Sequence, residues 1–204
     1  MTEPGREALL TREVRWFFDG PLPADIENWF TTRSARGVRE SRSDVYGLAP
    51  ARRGIGVKQR DRATVDAKHK VAELGAVQLR PGVEGRVEDW EKTAQSGLIV
   101  GHERLVVSKE IITLRFEAES PGDSGPVGCE VELASISVGP TRSWSLCLET
   151  LGDPALRGKA LEVGLDGLLA DGPLPEGLRL RSERSCGYPE WVSGLAAAPG
   201  DSTA

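Results

Sequence analysis

Residues 64–71 read Thr-Val-Asp-Ala-Lys-His-Lys-Val, and this stretch sets the pattern on which the fold prediction depends. Its three charged residues, Asp66, Lys68 and Lys70, are spaced two apart. Side chains with this spacing in a β-strand point to the same face of the sheet. The stretch therefore predicts a strand that carries a row of charged side chains on one face.

Similar rows recur along the chain. They are Glu13 with Arg15, Lys58 with Arg60, Arg86 with Glu88, Trp90 and Lys92, and Glu130 with Glu132. Taken singly, each row is typical of the solvated outer face of an antiparallel sheet. Taken together, the rows favour a closed barrel whose lumen they line, because facing basic and acidic rows would form a site for a polyanion and divalent cations.

The spacing of strands and turns predicts an α+β fold in a single domain. The 13 Pro and 24 Gly residues separate short runs that are rich in β-branched and aromatic residues, as expected of many strands joined by turns. The predicted strands are Ala8–Asp19, Val38–Tyr46, Ile55–Asp61, Thr64–Val71, Gly85–Thr93, Leu105–Glu117, Cys129–Val138 and Ser143–Leu151. We expect these strands to form a closed or nearly closed antiparallel β-barrel, a tunnel of about eight strands with a few flanking helices. The domain would span residues 1–204, with an ordered core of roughly 8–195.

Two segments have helical spacing. In Pro23–Phe30, one face carries Ile26, Trp29 and Phe30 at i, i+3 and i+4 spacing. This face would let the helix plug a barrel end or, in the interpretation we favour, pack in the core. Asp153–Leu169 has apolar residues near helical spacing and begins with an N-cap residue followed by proline. We expect both to flank the barrel.

The end of the chain contains a short extended run and an aromatic cluster. The run is Leu178–Arg181, and the cluster comprises Tyr188, Pro189 and Trp191. We expect the cluster to pack on the outside of the barrel or at one end.

Charge and composition narrow the range of partners. The formal net charge is −5 and the isoelectric point about 5.3, so the chain lacks the basic character that draws proteins onto nucleic acid. No run of 18 apolar residues and no secretory leader occurs in the sequence. Three cysteines without a CxxC pair are typical of reduced thiols. We therefore expect a soluble cytoplasmic protein with no nucleic-acid or membrane partner.

Six strand motifs occur in a characteristic order. They are residues 11–15 (TREVR), 42–46 (RSDVY), 56–60 (GVKQR), 65–70 (VDAKHK), 130–133 (EVEL) and 144–149 (WSLCLE). In this order the chain resembles the CYTH superfamily, whose triphosphate tunnel fold is shared by thiamine triphosphatases, inorganic triphosphatases and class IV adenylate cyclases. The likeness covers nearly the whole chain and implies a protein that binds, and in the enzymes hydrolyses, a triphosphate or polyphosphate.

The resemblance also implies a set of site residues. Phosphate oxygens would be held by Arg15, Lys58, Arg60, Lys68, Lys70, Lys92 and Lys109. Divalent metal, Mg²⁺ or Mn²⁺, would be bound by Glu13, Glu130, Glu132 and Glu149, of which Glu13, Glu132 and Glu149 are the candidate catalytic residues. Basic side chains neutralise phosphates, and carboxylate oxygens suit these hard cations.

Two positions depart from the family pattern Glu-x-Glu-x-Lys of the first strand. Thr11 stands where the family has its first Glu, and Arg15 stands where it has Lys. A hydroxyl is a much weaker metal ligand than a carboxylate, whereas Arg keeps the positive charge. The loss of a metal ligand affects catalysis more than phosphate binding. The sequence is therefore consistent with three alternatives: a metal-dependent phosphohydrolase, a binding module without hydrolysis, and a structural or interaction barrel whose charges pair only with one another.

Other motifs carry less weight. Residues 122–126 (GDSGP) are similar to the segment around the nucleophile of trypsin-like proteases, but they are also ordinary turn chemistry. Two histidines, His69 and His102, and scattered cysteines do not furnish a zinc site of familiar spacing, and no P-loop motif is present.

Overall fold

A computed structural model describes residues 8–33, 37–48, 54–60, 64–96, 104–119, 127–151 and 153–197. These residues form a closed eight-stranded antiparallel barrel with three α-helices, which confirms the predicted fold class. The strands are β1 (Leu9–Asp19), β2 (Val38–Gly47), β3 (Ile55–Arg60), β4 (Thr64–Arg80), β5 (Val83–Ser96), β6 (Arg104–Ala118), β7 (Val127–Val138) and β8 (Thr141–Leu151). Around the barrel they follow the order β1, β5, β4, β3, β2, β6, β7, β8.

The helices are α1 (Ala24–Thr31), α2 (Arg157–Leu169) and α3 (Tyr188–Ala197). Short 3₁₀ turns precede α2 and α3, at Pro154–Leu156 and Ser182–Arg184. Among the described residues, none of the helices has the length and hydrophobicity needed to cross a membrane.

The outer face of the barrel carries the main apolar core. Val14 and Trp16 of β1 are fully buried there, in one cluster with Ile26 and Phe30 of α1 and with side chains of α2. Full burial of such a side chain stabilises the fold by about 1.5–3 kcal/mol. The helix α1 therefore packs against the barrel wall, as the favoured interpretation of its sequence had it.

The strand β4 is longer than predicted. Its alternation is clear up to Lys70, but register shifts against β5 follow between Lys70 and Ala72, between Glu73 and Gly75, and near Arg80. Each bulge moves the following side chains out of the period-two pattern. The prediction therefore ended the strand at Val71.

The helix α3 closes one end of the barrel. The aromatic cluster was expected outside or at an end, and the structure places it at an end, with Tyr188 turned into the lumen, where it stacks on Tyr46 at 5.2 Å between ring centroids. Trp191 stacks on Phe17 at 4.5 Å. The predicted run Leu178–Arg181 forms only an isolated bridge, through Leu180.

Candidate functional site

The predicted charge rows face the inside of the barrel. Register pairs connect Glu13 with Glu88 and Glu149, Glu149 with Glu130, Lys58 with Asp66, and Lys68 with Lys92. Residues paired in this way project to the same face of a sheet. On β1 that face also carries Phe17, which lies in a buried cluster with Tyr46 of β2 and Ile111 of β6. The charged rows therefore line the lumen.

Basic side chains are concentrated on β3 and β4. Lys58 and Arg60 of β3 flank Asp66 of β4, whose Oδ2 lies 3.8 Å from Lys58 Nζ and 3.5 Å from Arg60 Nη2. Burial lowers the pKa of Lys58 to about 8, against the opposing attraction of Asp44. Lys58 is therefore mostly protonated at neutral pH, and these loose contacts leave both cations able to bind an anion.

Carboxylates are concentrated on the adjacent strands β1, β8 and β7. Glu13 lies directly opposite Glu149, and Glu149 lies opposite Glu130, so the three form a continuous row. Glu132 follows two residues after Glu130 on the same face. Like charges directly opposite one another destabilise a sheet, so this row requires cations.

Lysines from the neighbouring strands supply two of these cations. Lys68 of β4 donates a hydrogen bond to Glu13, and Lys92 of β5 donates one to Glu149. Glu13 is 2% exposed and Glu149 half-buried. Two residues predicted to bind phosphate are thus held by two residues predicted to bind metal.

Arg15 is the third cation of the acidic row. Its Nη1 donates to Glu132 Oε1 at 2.7 Å and to Ser145 Oγ at 3.2 Å, and its Nε donates to Glu13 Oε1 at 3.3 Å. The guanidinium also lies 5.3 Å from the ring centroid of Tyr188. Arg15 therefore links the carboxylate row to the aromatic end of the lumen.

These cations keep the buried carboxylates ionised. Burial alone would raise the pKa of Glu13, but Lys68 and Arg15 hold that pKa well below its usual range. Burial opposes ionisation of Glu132 too, yet Arg15 and Lys109 lower its pKa to about 2. Both groups are anionic at neutral pH.

Lys109 occupies the aromatic end of the lumen. Its Nζ donates to Asp44 Oδ2 at 3.0 Å and to the Tyr46 hydroxyl at 2.9 Å, and it lies 3.9 Å from the ring centroid of Tyr188. Burial lowers the pKa of Lys109 to about 7, although Asp44 opposes this shift. Lys109 is therefore the predicted phosphate ligand whose charge depends most on pH near neutrality.

Lys70 lies towards the same end of β4 as the bulges. Its Nζ donates to Glu73 and to Glu88 at 2.8 Å each. Glu88, 2% exposed, belongs to a predicted charge row but was not among the predicted site residues.

Several buried polar atoms of the lumen lack a hydrogen-bond partner in the described part of the chain. They are the Thr11 and Tyr188 hydroxyls, the indole N–H of Trp90, the Nε atoms of Arg42 and Arg60, and Asp44 Oδ1. All but the Asp44 oxygen can donate a hydrogen bond. Because unpaired buried donors are costly, the set favours a ligand rich in acceptor oxygens.

The carboxylate row offers the type of ligand atom that a hard divalent cation prefers. Glu13, Glu130 and Glu149 supply carboxylate oxygens from adjacent strands, which is the ligand type that Mg²⁺ and Mn²⁺ prefer. Within the described residues, however, no three His, Cys, Asp or Glu side chains converge closely enough to hold a metal ion. The ammonium groups of Lys68 and Lys92 lie beside two of these carboxylates, so a metal ion would have to displace them.

The cavities on the described surface include ones of about 660, 330 and 210 Å³. The first lies beside α3 and is lined by Arg86 and Trp191, among others. None of the three is lined by Lys58, Lys68 or Glu149. In the lumen, Lys68 pairs with Glu13 and Lys92 with Glu149, so a ligand there would have to replace contacts between cations and carboxylates.

The sequence patterns did not single out every residue of the lumen. Arg42, Asp44 and Tyr46 share the spacing of the other rows, so the same criterion could have selected them. Tyr188 could not be found in this way, because its position depends on how the end of the chain folds back. The protease-like motif at 122–126 and His102 lie outside the described residues.

No protein-family model and no curated protein matches this sequence. The resemblance to the CYTH superfamily therefore stays a prediction, and the geometry of the lumen carries the functional argument.

Proposed function

We propose that the lumen binds a triphosphate or another linear polyphosphate together with a divalent cation, Mg²⁺ or Mn²⁺. One observation carries this proposal: basic side chains of β3 and β4 face a carboxylate row on β1, β8 and β7. Lysine and arginine neutralise phosphate oxygens, while carboxylates neutralise divalent metal. A complex of divalent metal and polyphosphate would neutralise the basic side chains and the carboxylate row at the same time.

Ligand exchange would free the lysines that are held by carboxylates. Lys68 and Lys92 now donate to Glu13 and Glu149. When divalent metal neutralises those carboxylates, the ammonium groups become available to phosphate oxygens. The unpaired donors of the lumen, such as the Tyr188 hydroxyl, would gain acceptors in the same step.

Hydrolysis is a separate proposal. The bound metal would supply an activated water for attack on a terminal phosphoryl group. In this chain Glu13, Glu132 and Glu149 are the carboxylates that would hold and orient the reacting groups. Phosphate release from tripolyphosphate in the presence of Mn²⁺ measures this activity directly.

The alternative is an anion-binding protein without hydrolysis, and Thr11 favours it. Thr11 is 1% exposed, lies opposite Trp90, and its hydroxyl has no partner in the described structure. A carboxylate at this position would extend the acidic row, whereas the hydroxyl adds no charge. If the missing carboxylate at Thr11 prevents hydrolysis, the protein should bind the polyphosphate without turnover.

We further propose that the protein works in the reducing cytoplasm without a nucleic-acid or membrane partner. The three cysteines are free thiols, and Cys129 and Cys147 are buried.

The test of the binding proposal is the melting temperature of the full chain with tripolyphosphate and MnCl₂. A ligand at 100 times its dissociation constant adds about 2.7 kcal/mol to the free energy of unfolding, so the melting temperature should rise by several degrees. The double variant Lys58→Ala/Arg60→Ala should lose this shift.

The matched control is Lys159→Ala/Arg179→Ala, which removes the same charge from exposed positions outside the lumen and should keep the shift. A shift that persists in the Lys58/Arg60 variant would overturn the lumen as the binding site. If the wild-type protein shows no shift, its charged rows pair only with one another.

A further inference from the structure

A groove on the outer face of the barrel, remote from the lumen, combines apolar walls with an unsatisfied positive charge. It has a volume of about 210 Å³ and lies between α2 and the hairpin formed by β4 and β5. Its apolar lining is Leu74, Val77, Leu79, Val87, Leu161 and Leu165. Leu74 is 46% exposed, so part of this apolar surface is open to water.

The charge at one end of the groove comes from two arginines that share one carboxylate. Arg12 donates to Asp89 from Nε at 2.7 Å and from Nη2 at 3.0 Å. Arg157 Nη1 lies 3.7 Å from the same Asp89 carboxylate. The two guanidinium groups together carry one positive charge more than the Asp89 carboxylate that they share.

Both arginines also have N–H groups without a hydrogen-bond partner among the described residues. Arg157 is 7% exposed, and its Nε and Nη2 have no partner in the described part of the chain. Arg12 Nη1 makes none of the hydrogen bonds formed by the described residues. It lies beside the first turn of α2, 4.0 Å from where a Cβ on Gly158 would be. Arg12 and Gly158 both line the groove.

The other charges along the groove do not compete strongly for an anion. Arg80 donates to Asp166 Oδ1 from Nε at 3.0 Å and from Nη2 at 2.7 Å, so that pair is neutral. Glu162 is exposed at the rim, where water screens its charge. Gly158 and Leu165 are the first and last residues of α2 that line the groove, and they lie about 10 Å apart along the helix.

We propose that this groove binds an amphiphilic carboxylate of medium chain length, that is, a free fatty acid whose head group pairs with Arg12. The guanidinium offers charge-assisted hydrogen bonds to a carboxylate, and the lining buries the alkyl chain. This site is independent of the lumen and of the polyphosphate proposal.

The test is calorimetric titration of the full chain with a series of saturated fatty acids from hexanoate to decanoate, with octan-1-ol and acetate as comparators. Octanoate should bind saturably, and each added methylene should tighten binding about fourfold until the groove is filled. Octan-1-ol lacks the charge and acetate lacks the chain, so each should bind at least tenfold more weakly than octanoate.

Three variants and one control test the assignment of the site. Arg12→Met leaves Asp89 paired with Arg157 and should weaken octanoate binding about tenfold. Leu74→Ser removes apolar surface at an exposed position and should weaken binding without loss of fold, whereas Glu162→Gln should bind as tightly or more tightly. Arg115→Met, which removes an arginine from an exposed pair with Glu117 outside the groove, is the matched control and should keep the wild-type affinity.

Equal affinity for octanoate and octan-1-ol would overturn the proposal. So would wild-type affinity in both the Arg12 and the Leu74 variants. The Lys58→Ala/Arg60→Ala variant should bind octanoate as the wild type does, which separates the outcome from that of the polyphosphate proposal.

Discussion

Glu13 and Glu149 lie directly opposite one another on neighbouring strands of the barrel wall. Such a pair would repel in an ordinary sheet. Here Lys68 donates to the first and Lys92 to the second, so the two carboxylates remain charged inside the lumen. The charges of this barrel are thus interdependent, and removal of one should affect its partners.

Glu13→Gln should destabilise the protein by about 3 kcal/mol. The variant leaves Lys68 and Arg15 in the lumen without the carboxylate that they share, and breaking a buried ion pair on one side leaves an uncompensated charge. The midpoint of urea unfolding measures the effect.

Glu117→Gln is the matched control for this substitution. Glu117 pairs with Arg115 at the surface, where the two side chains are 45% and 57% exposed, so its loss should cost less than about 1 kcal/mol. An equal, small effect of both substitutions would show that the Glu13 pair is as well solvated as a surface pair.

Lys109 should make stability depend on pH near neutrality. Its pKa is about 7 in the folded protein and about 10.4 in the unfolded chain, so between these values the unfolded state binds more protons. The free energy of unfolding therefore rises with pH in this window, and the cost of protonated Lys109 is fully present below pH 7.

Comparison with Lys109→Met isolates this contribution. Between pH 7 and pH 8.5 the wild-type protein should gain about 1.5 kcal/mol relative to the variant. Urea unfolding at several pH values in this range measures the difference. Parallel pH profiles for the two proteins would mean that Lys109 keeps an ordinary pKa in the fold.

The barrel could be predicted from the spacing of strands and turns, whereas the inward direction of its charges followed only from the number of charged rows. Glu13 with Arg15 and Lys58 with Arg60 each fit an outer or an inner face, and only the number of such rows favoured a lumen. The structure confirms the closed barrel. It also places the Glu13 row inside, because that row shares its face of β1 with Phe17, which is buried together with Tyr46 and Ile111.

Contacts that depend on distant parts of the chain could not be predicted in this way. The bulges after Lys70 hide the second half of β4 from any period-two criterion. The position of Tyr188 against Lys109 depends on the path of the last helix rather than on local pattern. The pairing of predicted phosphate ligands with predicted metal ligands, such as Lys92 with Glu149, likewise depends on the register between strands.

Gly187 should be required for the close approach of α3 to the barrel. A Cβ at this position would lie 2.4 Å from a ring carbon of Trp90 and 2.6 Å from Glu88 Oε2, and such overpacking costs about 1–3 kcal/mol. Gly187→Ala should therefore lower the free energy of unfolding.

Gly194→Ala, inside α3, should have the opposite effect. No atom lies within 4 Å of a Cβ at Gly194, and alanine is favoured over glycine in a helix by about 0.5–1 kcal/mol. Thermal unfolding of the two variants should show a lower melting temperature for Gly187→Ala and a higher one for Gly194→Ala than for the wild-type protein. A loss of stability in both would mean that α3 tolerates no added methyl group, whatever its surroundings.

Substitution of Thr11 offers a direct test of the carboxylate row as a metal site. Its side chain shares the lumen face with Glu13, two residues on, and its hydroxyl has no partner in the described structure. Thr11→Asp would add a carboxylate to the row, and Mn²⁺ should then bind at least tenfold more tightly than in the wild-type protein, as measured by electron paramagnetic resonance of free Mn²⁺. Thr11→Asn introduces a side chain of nearly the same shape as aspartate but without its charge, and it should leave the affinity for Mn²⁺ unchanged. Equal affinities in the two variants would place any metal site away from β1, because a carboxylate next to a bound cation must strengthen its binding.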